Sequence, residues 1–377
     1  MTVEVTINPE VLDWALKRSG LSTEEVAKRF PKMQEWLSGS RKPTLPQAKK
    51  IAEAAHLPLG RLLLKNPTPE EIKLPDFRTV RNEEVGQIGP DLREVIQTAE
   101  QRLVWYAEYA TEVGIEPPKL LGMVQPTSSA KQAANVVRKA LGWEDSGHPQ
   151  GPDKVLDLVN RMEDQGLLVM RNSVVGNSTS RRLDVHEFRG FTLREGQYAL
   201  VFVNTSDSKT AQLFSLAHEL GHVAKAAPGL SGDQGKNNAV EQWCNRFAAA
   251  LLMPESSLKK LAFDSRGLPE QLGATAPRFG VSREALLWRL VELELVDRQD
   301  ANHAVKLLNK NTTPKSKADG APPFPVLVRS RVGRRFLSTV TEATLSGNLP
   351  APTAAIFLGV RSKKSLQNTM ALTDEAV

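Results

Sequence analysis

Apolar residues between residues 9 and 65 recur at three- and four-residue spacing in short runs, which predicts a bundle of five short helices. Asn8 and Pro9 form a typical helix start, and Gly20 is a typical helix end. Ser22 and Glu25 have the spacing of a capping box at the start of the second helix. The other three helices are predicted over residues 31–39, 45–55 and 58–64. The N-terminal part of the chain is therefore predicted to be helical throughout.

The middle of the chain combines helical periodicity with short apolar runs. Residues 84–142 and 155–165 have the apolar spacing of helices, and so does the stretch from Pro254 to about residue 309. Strands are predicted over residues 167–171, 187–193 and 198–204. This order of elements predicts an α+β fold that is mostly helical, with a short sheet in its centre.

Changes in composition divide the chain into predicted segments. The sequence Asn66-Pro67-Thr68-Pro69 is a break, and a Pro-, Lys-, Ser- and Thr-rich run begins at Lys310. The segments are a helical bundle at 1–65, a connector at 66–83, a helical segment at 84–150, a central α+β domain at 151–309, a linker at 310–325 and a small C-terminal unit at 326–377. The last is predicted to contain a short strand and helices.

The net charge of +6 is concentrated at the two ends of this 377-residue chain. Residues 1–65 carry +4 and residues 304–377 carry +7, so the part between them carries −5. Basic ends attract nucleic acid, but solvated basic faces explain the charge equally well.

Composition also excludes several classes of protein. The single Cys excludes an intramolecular disulfide and a Cys-rich zinc site. No apolar run approaches the roughly 18 residues of a membrane span, and the start of the chain lacks the basic region of a signal peptide. We therefore expect a cytoplasmic protein without a membrane partner.

The strongest chemical signal is an HExxH motif within a predicted helix over residues 210–223. His218 and His222 are four residues apart, so both imidazoles lie on one helix face and can hold one Zn²⁺ ion at about 2.0–2.1 Å. Glu219 can reach a water on that ion and accept its proton. The alternative is a pair of core histidines. In that alternative, burying the unpaired Glu219 carboxylate would cost several kcal/mol, which favours the metal site.

Zinc hydrolases of this kind take a third ligand from a glutamate on a second helix. Glu241 opens the next predicted helix, 19 residues after His222, a gap that is long enough for an antiparallel return. Asp233 and Glu255 are the alternatives, one in a loop-like stretch and the other beyond the proline that ends the helix. Asn245 lies one turn after Glu241 and is expected to orient a ligand.

The runs FSLAHELGH (residues 214–222) and EQWCNRFAAALLMP (residues 241–254) together resemble the ImmA/IrrE family of zinc metallopeptidases. The resemblance covers about residues 150–300 and implies a zincin-like metallopeptidase domain over residues 151–309. It implies His218, His222 and Glu241 as zinc ligands and Glu219 as the catalytic base. Cys244 is a mild departure, because the family usually has a small residue there. Members often cleave or inactivate a partner repressor and so release a stress, DNA-damage or mobile-element programme.

The N-terminal bundle is similar to the Xre/Cro-type helix-turn-helix domains often fused to this family, in the runs LSTEEVAKRF (residues 21–30) and WLSGSRKPTLPQAKKIAEAAHLPLGRLL (residues 36–63). About four residues are missing before Trp36, which removes about one turn from the helix that would contact base edges. Lys32, Arg41 and Lys42 remain able to contact phosphates, which would position the protein without reading sequence. A protein-docking or degenerate domain is the alternative.

These observations favour a zinc-dependent endopeptidase that acts on a specific cytoplasmic protein, such as a regulator or repressor. The alternative is a DNA-binding transcriptional regulator or toxin–antitoxin component in which the zinc domain serves as scaffold. The intact HExxH motif favours the enzyme, and the basic N-terminal bundle favours the regulator. Zn²⁺ is the expected cofactor, although these ligands do not exclude Mn²⁺. The sequence leaves the oligomeric state open.

Overall fold

The computed structural model describes residues 3–55, 57–67, 89–144, 147–225, 237–264, 267–308 and 323–373. These residues fall into two compact units, one up to Thr98 and one from Ala99 onward, and helix α6 (Pro90–Val113) has residues in both. The segment boundaries drawn from the sequence stay predictions. The predicted connector and linker fall mostly on residues 68–88 and 309–322, outside the described residues, and so does the alternative ligand Asp233.

Within residues 3–67, the first unit contains the helices α1 (Pro9–Ser19), α2 (Thr23–Arg29), α3 (Met33–Leu37), α4 (Leu45–Ala54) and α5 (Leu59–Leu62). Local capping sets both ends of α1 and the start of α2, as the sequence predicts. Asn8 accepts a hydrogen bond from the Glu10 amide at 2.9 Å. Gly20 has a φ of 68°, a left-handed conformation that glycine adopts without strain. Ser22 and Glu25 exchange the two hydrogen bonds of a capping box.

The core of the first unit is formed by apolar side chains of α1, α3 and α4. Val11 and Leu12 are fully buried, and Met33 and Trp36 of α3 pack into the same cluster. Helix α3 has only five residues, and two of them face this core. Few side chains of α3 are therefore left to face a partner, which agrees with the shortened helix expected from the sequence.

The second unit is a mostly helical α+β structure, which confirms the predicted fold class. Its central elements are α7 (Ala130–Ala140), α8 (Lys154–Asp164), β1 (Leu168–Asn172), β2 (Gly190–Glu195), β3 (Tyr198–Asn204), α9 (Lys209–Ala224), α10 (Asn237–Leu252), α11 (Glu255–Leu258), α12 (Leu268–Phe279), α13 (Arg283–Glu292) and α14 (Arg298–Leu308). None of the helices in the described part of the chain is long and apolar enough to span a membrane.

The three strands form a sheet of order β1-β3-β2, with β1 parallel and β2 antiparallel to the central β3. All residues of β3 are buried, as its continuous apolar run predicts. The prediction for β2 is wrong at its start, because the strand begins at Gly190 and not at residue 187. Asp184 accepts hydrogen bonds from the amides of His186 and Phe188, and these bonds turn the chain there instead of extending it.

Helix α9 lies inside the main core and is enclosed on nearly all sides. Every residue from Ser215 to Ala224 is buried. The helix packs against β2 and β3, and also against α8 and α10. The polar residues His218, Glu219 and His222 are therefore buried together with the apolar residues that predicted the helix.

Residues 323–373 fold as α15 (Phe324–Val332), α16 (Arg334–Leu345), α17 (Ala351–Leu358), α18 (Lys363–Met370) and a 3₁₀ turn, Ala371–Thr373. The short strand predicted for the C-terminal segment is wrong, since no strand occurs among these described residues. Val328 and Val332 are four residues apart and both buried, and α15 packs against β1. Helical burial against the sheet therefore decides the structure of this apolar run.

A buried carboxylate, that of Glu163, ties the C-terminal helices to the end of α8. Glu163 is 2% exposed; its Oε1 accepts a hydrogen bond from the Arg335 amide at 3.1 Å, and its Oε2 lies 3.8 Å from Arg334 Nε. Gly333, with φ of 83°, permits this approach, because a Cβ there would lie 2.7 Å from Glu163 Oε1. Burial raises the pKa of Glu163 to about 7, against the opposing effects of the Arg335 amide, Arg334 and Arg171.

We expect Glu163→Gln to gain stability relative to the wild type as the pH rises from about 5 to 7. A carboxyl group with a raised pKa binds its proton more tightly in the folded protein. The wild type should therefore lose stability over this window, by up to about 1.4 kcal/mol per pH unit. Urea unfolding across this range measures the free energy of unfolding of both proteins.

The matched control is Asp164→Asn, which removes an exposed neighbouring carboxylate that also pairs with Arg334. Its stability relative to the wild type should stay nearly constant over the same pH range. Parallel pH curves for Glu163→Gln and the wild type would contradict a raised pKa at Glu163.

Candidate metal centre

Helix α9 presents the HExxH side chains inside the protein. His218 is fully buried, Glu219 is 1% exposed and His222 is 8% exposed. The two histidines are one helical turn apart, and their Nε2 atoms face each other at 3.2 Å. The sequence prediction that both imidazoles share one helix face is therefore confirmed.

Helix α10 lies beside α9 and brings the carboxylate of Glu241 to these two nitrogens. Glu241 Oε2 lies 3.1 Å from His218 Nε2, and Glu241 Oε1 lies 2.9 Å from His222 Nε2. Glu241 is itself buried, at 5% exposure. Two imidazoles and one carboxylate therefore meet at one point, and they form a group that could hold a metal ion.

The donor set fits a tetrahedral metal. Ligands about 2.0–2.1 Å from Zn²⁺ stand roughly 3.3 Å from one another in a tetrahedron. The two imidazole Nε2 atoms are 3.2 Å apart, and each of them has one oxygen of the Glu241 carboxylate at 2.9–3.1 Å. Burial acts to raise the pKa of Glu241, but hydrogen bonds with His218 and His222 hold it well below its ordinary value. A buried negative charge needs a compensating positive charge, and a divalent cation at this point would supply it.

Asn245, which lies one turn after Glu241, contacts the first histidine, and its predicted role in orienting a ligand stays a prediction. Its Oδ1 lies 3.0 Å from His218 Nδ1. An amide oxygen only accepts, so Nδ1 donates this bond, and Nε2 is the nitrogen that faces the cluster and could bind a metal once it is deprotonated. Contacts of this kind fix the tautomer and direction of a ligand in metal sites.

Gly221 lets the two helices approach closely enough for Glu241 to reach the histidines. A Cβ at this position would lie 3.0 Å from Phe247 Cδ1 and 3.3 Å from Cys244 Sγ, both on α10. Burial raises the pKa of the Cys244 thiol, which therefore stays protonated. Gly221 was not a candidate from the sequence, although a glycine inside a helical run is a signal of close packing.

Strand β2 borders the same centre on the side of Glu219. Thr192 Oγ1 lies 2.8 Å from Glu219 Oε2. A Cβ on Gly190 would lie 3.2 Å from both Cγ and Oε1 of Glu219. Neither residue was a candidate from the sequence, because nothing local in the sequence relates Thr192 to Glu219, which is 27 residues later.

The structure does not place Glu255 in this centre. Glu255 lies on α11 and forms ion pairs with Lys131 and Lys259. These two hydrogen-bonded lysines lower the pKa of Glu255 to about 2. A carboxylate committed to two lysines is a poor candidate for a metal ligand, which leaves Glu241 favoured over it.

The predicted nucleic-acid contacts lie in the first unit, around α3. Lys32 precedes that helix and is half-buried, while Arg41 and Lys42 are exposed in the turn that follows it. Arg41 Nη1 lies 3.5 Å from Glu35 Oε2, so part of its charge is already paired. Contact with nucleic acid by these residues stays a prediction.

We expect Glu241→Ala to bind zinc more than about 100-fold more weakly than the wild type. It removes an anionic ligand, and loss of a group that only contacts a ligand already costs about 10- to 100-fold. Competition with a chromogenic chelator measures the affinity, and atomic absorption measures the bound zinc. Glu255→Ala is the matched control and should keep wild-type affinity. Equal zinc occupancy in Glu241→Ala and the wild type would exclude Glu241, and Asp233→Ala would then test the remaining alternative.

Comparison with known proteins bears on the part of the chain that contains this centre. A search of the curated proteins gave no match. Residues 162–291, about a third of the chain, match the family model of the IrrE N-terminal-like domain, a peptidase family. The matched stretch includes the sheet, α9 and α10. It supports the resemblance to the ImmA/IrrE family and indicates that this part of the chain is similar to a metallopeptidase domain.

Proposed function

We propose that this protein is a zinc-dependent endopeptidase that acts on a specific protein. The observation that carries the proposal is the convergence of the His218, His222 and Glu241 side chains at one buried point, with Glu219 next to the first histidine. The match to a peptidase family over the same residues supports it.

Zinc is the metal that best suits these ligands. Two imidazole nitrogens and one carboxylate oxygen are the protein ligands of many catalytic zinc sites, which keep a fourth position for water or substrate. Metals that prefer oxygen ligands, such as Mg²⁺ and Ca²⁺, are less suited to a pair of imidazoles. When bound, zinc would polarise the scissile carbonyl and lower the pKa of water.

The residues of the chain then have distinct roles. His218, His222 and Glu241 hold the ion, and Asn245 keeps His218 in the tautomer that can do so. Glu219 accepts the proton of the attacking water and passes it to the leaving amine. The burial of all four charged or titratable groups excludes bulk water, which strengthens these electrostatic interactions.

The family resemblance supports a protein substrate. We propose that the substrate is a regulator or repressor and that the reaction takes place in the cytoplasm. The support is the ImmA/IrrE-like sequence, in which the HExxH motif is followed by the run that forms α10, together with the family match.

Glu219→Gln is expected to keep its zinc and to lose peptidase activity by about 10²- to 10⁴-fold, because an amide cannot accept the proton. His218→Ala is expected to lose both zinc and activity. The assay incubates the zinc-loaded protein with a peptide library prepared from a cell extract and identifies new termini by mass spectrometry. New termini that form equally fast with Glu219→Gln would refute hydrolysis by Glu219.

We propose a second role for the first unit, which is to position the protein on nucleic acid. The support is the succession of α2, a tight turn and the short α3, flanked by Lys32, Arg41 and Lys42. Helix α3 has only five residues, and two of them are buried. The contacts would therefore be to phosphates, and binding would depend only weakly on the base sequence.

The triple variant Lys32→Ala/Arg41→Ala/Lys42→Ala should bind duplex DNA more weakly and with a smaller salt dependence. Each lost phosphate contact lowers the slope of log K against log salt by about 0.9, so the slope should fall by up to about 2.7. Gel shifts over a salt series measure this slope. Lys363→Ala/Lys364→Ala removes basic charge elsewhere and is the control. Wild-type binding that is absent or insensitive to salt would rule out this role.

A further inference from the structure

Strand β2 lies against α9 so that two of its residues meet the Glu219 carboxylate. Alternate residues of a strand face the same side, so Gly190 and Thr192 share one face of β2. On this face Gly190 has no side chain, and Thr192 has a hydroxyl group. The strand therefore offers space at one position and a hydrogen-bond donor at the next.

The Thr192 hydroxyl donates to Glu219 Oε2 at 2.8 Å, since an ionised carboxylate can only accept. Thr192 Oγ1 also lies 3.4 Å from the backbone carbonyl oxygen of Glu219, so the hydroxyl group contacts both the side chain and the backbone of this residue. Gly190 lies beside the other carboxylate oxygen, because a Cβ atom on Gly190 would be 3.2 Å from Glu219 Oε1. The carboxylate is thus held on one oxygen and confined beside the other.

We propose that Thr192 is a positioning residue for Glu219, one that holds the carboxylate in the orientation in which it accepts a proton. This inference rests on the proposed peptidase function. Thr192 acts through Glu219 and contacts none of the three clustered side chains at hydrogen-bond distance in the described structure.

The strand makes Thr192 a rigid anchor. Thr192 is in register with Val201 of the fully buried β3, so its backbone is fixed by the ladder of the sheet. A β-branched residue has a restricted χ1, so the hydroxyl has little freedom to leave Glu219. Glutamate has three side-chain torsions, and loss of this contact would let the carboxylate occupy other rotamers.

The test compares Thr192→Val, which replaces the hydroxyl with a methyl group of similar size, with Thr192→Ser, which keeps the hydroxyl. In Thr192→Val we expect kcat to fall about 10- to 100-fold, with KM and zinc content unchanged. Thr192→Ser should stay within about threefold of the wild type, because its hydroxyl can make the same bond. Thr111→Val makes the same chemical change on α6, where the hydroxyl bonds only its own helix, and is the control.

A second measurement uses the metal-free protein and needs no activity. Urea midpoints are compared for the wild type, Thr192→Val, Glu219→Ala and the double variant. If the two side chains interact, Thr192→Val lowers the midpoint in the wild-type background and has a clearly smaller effect when Glu219 is already absent. Equal shifts in both backgrounds would overturn the proposed contact.

The outcomes separate this inference from the proposed function. Wild-type kcat in Thr192→Val, together with an inactive Glu219→Gln, would overturn the role of Thr192 and leave the peptidase assignment intact. Equal losses in Thr192→Val and Thr192→Ser would also overturn it, because the hydroxyl would not be the determinant. Full activity in Glu219→Gln would instead refute the proposed function itself.

Discussion

The candidate metal centre depends on one electrostatic constraint, the burial of a carboxylate against two imidazoles in the protein interior. The Glu241 oxygens lie 2.9–3.1 Å from the paired histidine nitrogens, in a place that water hardly reaches. A charge in such a place is costly unless a partner of opposite charge lies beside it. The surrounding elements provide the spacing, the tautomer and the enclosure that make this arrangement suitable for a metal ion.

Each neighbour of α9 contributes a different part of the centre. On one side, α10 supplies Glu241 and Asn245, and the missing side chain of Gly221 allows it to approach. On the other side, β2 meets Glu219 through Thr192 and Gly190. One helix thus presents its metal-binding and proton-accepting groups to two different surfaces. This explains why a helix with so many polar residues is enclosed in a core.

The sheet that carries β2 is supported in turn by the C-terminal helices. Helix α15 packs against β1, the edge strand farthest from β2, and the buried Glu163 receives the amide of Arg335 at the start of α16. These contacts join residues more than 150 positions apart in sequence. They make the C-terminal segment part of the framework of the second unit.

The sequence by itself determined the features that depend on neighbours in the chain. The caps at Asn8 and Ser22, the helix of the HExxH motif and the strand β3 follow from spacing of a few residues, and local hydrogen bonds or one buried face are enough to fix them. Only the tertiary structure decided the start of β2, the helical form of the C-terminal segment, the distances from the Glu241 carboxylate to the two imidazoles, and the contact of Thr192 with Glu219. These depend on which distant surfaces pack together, and the energy of that packing is not encoded in any short stretch of sequence.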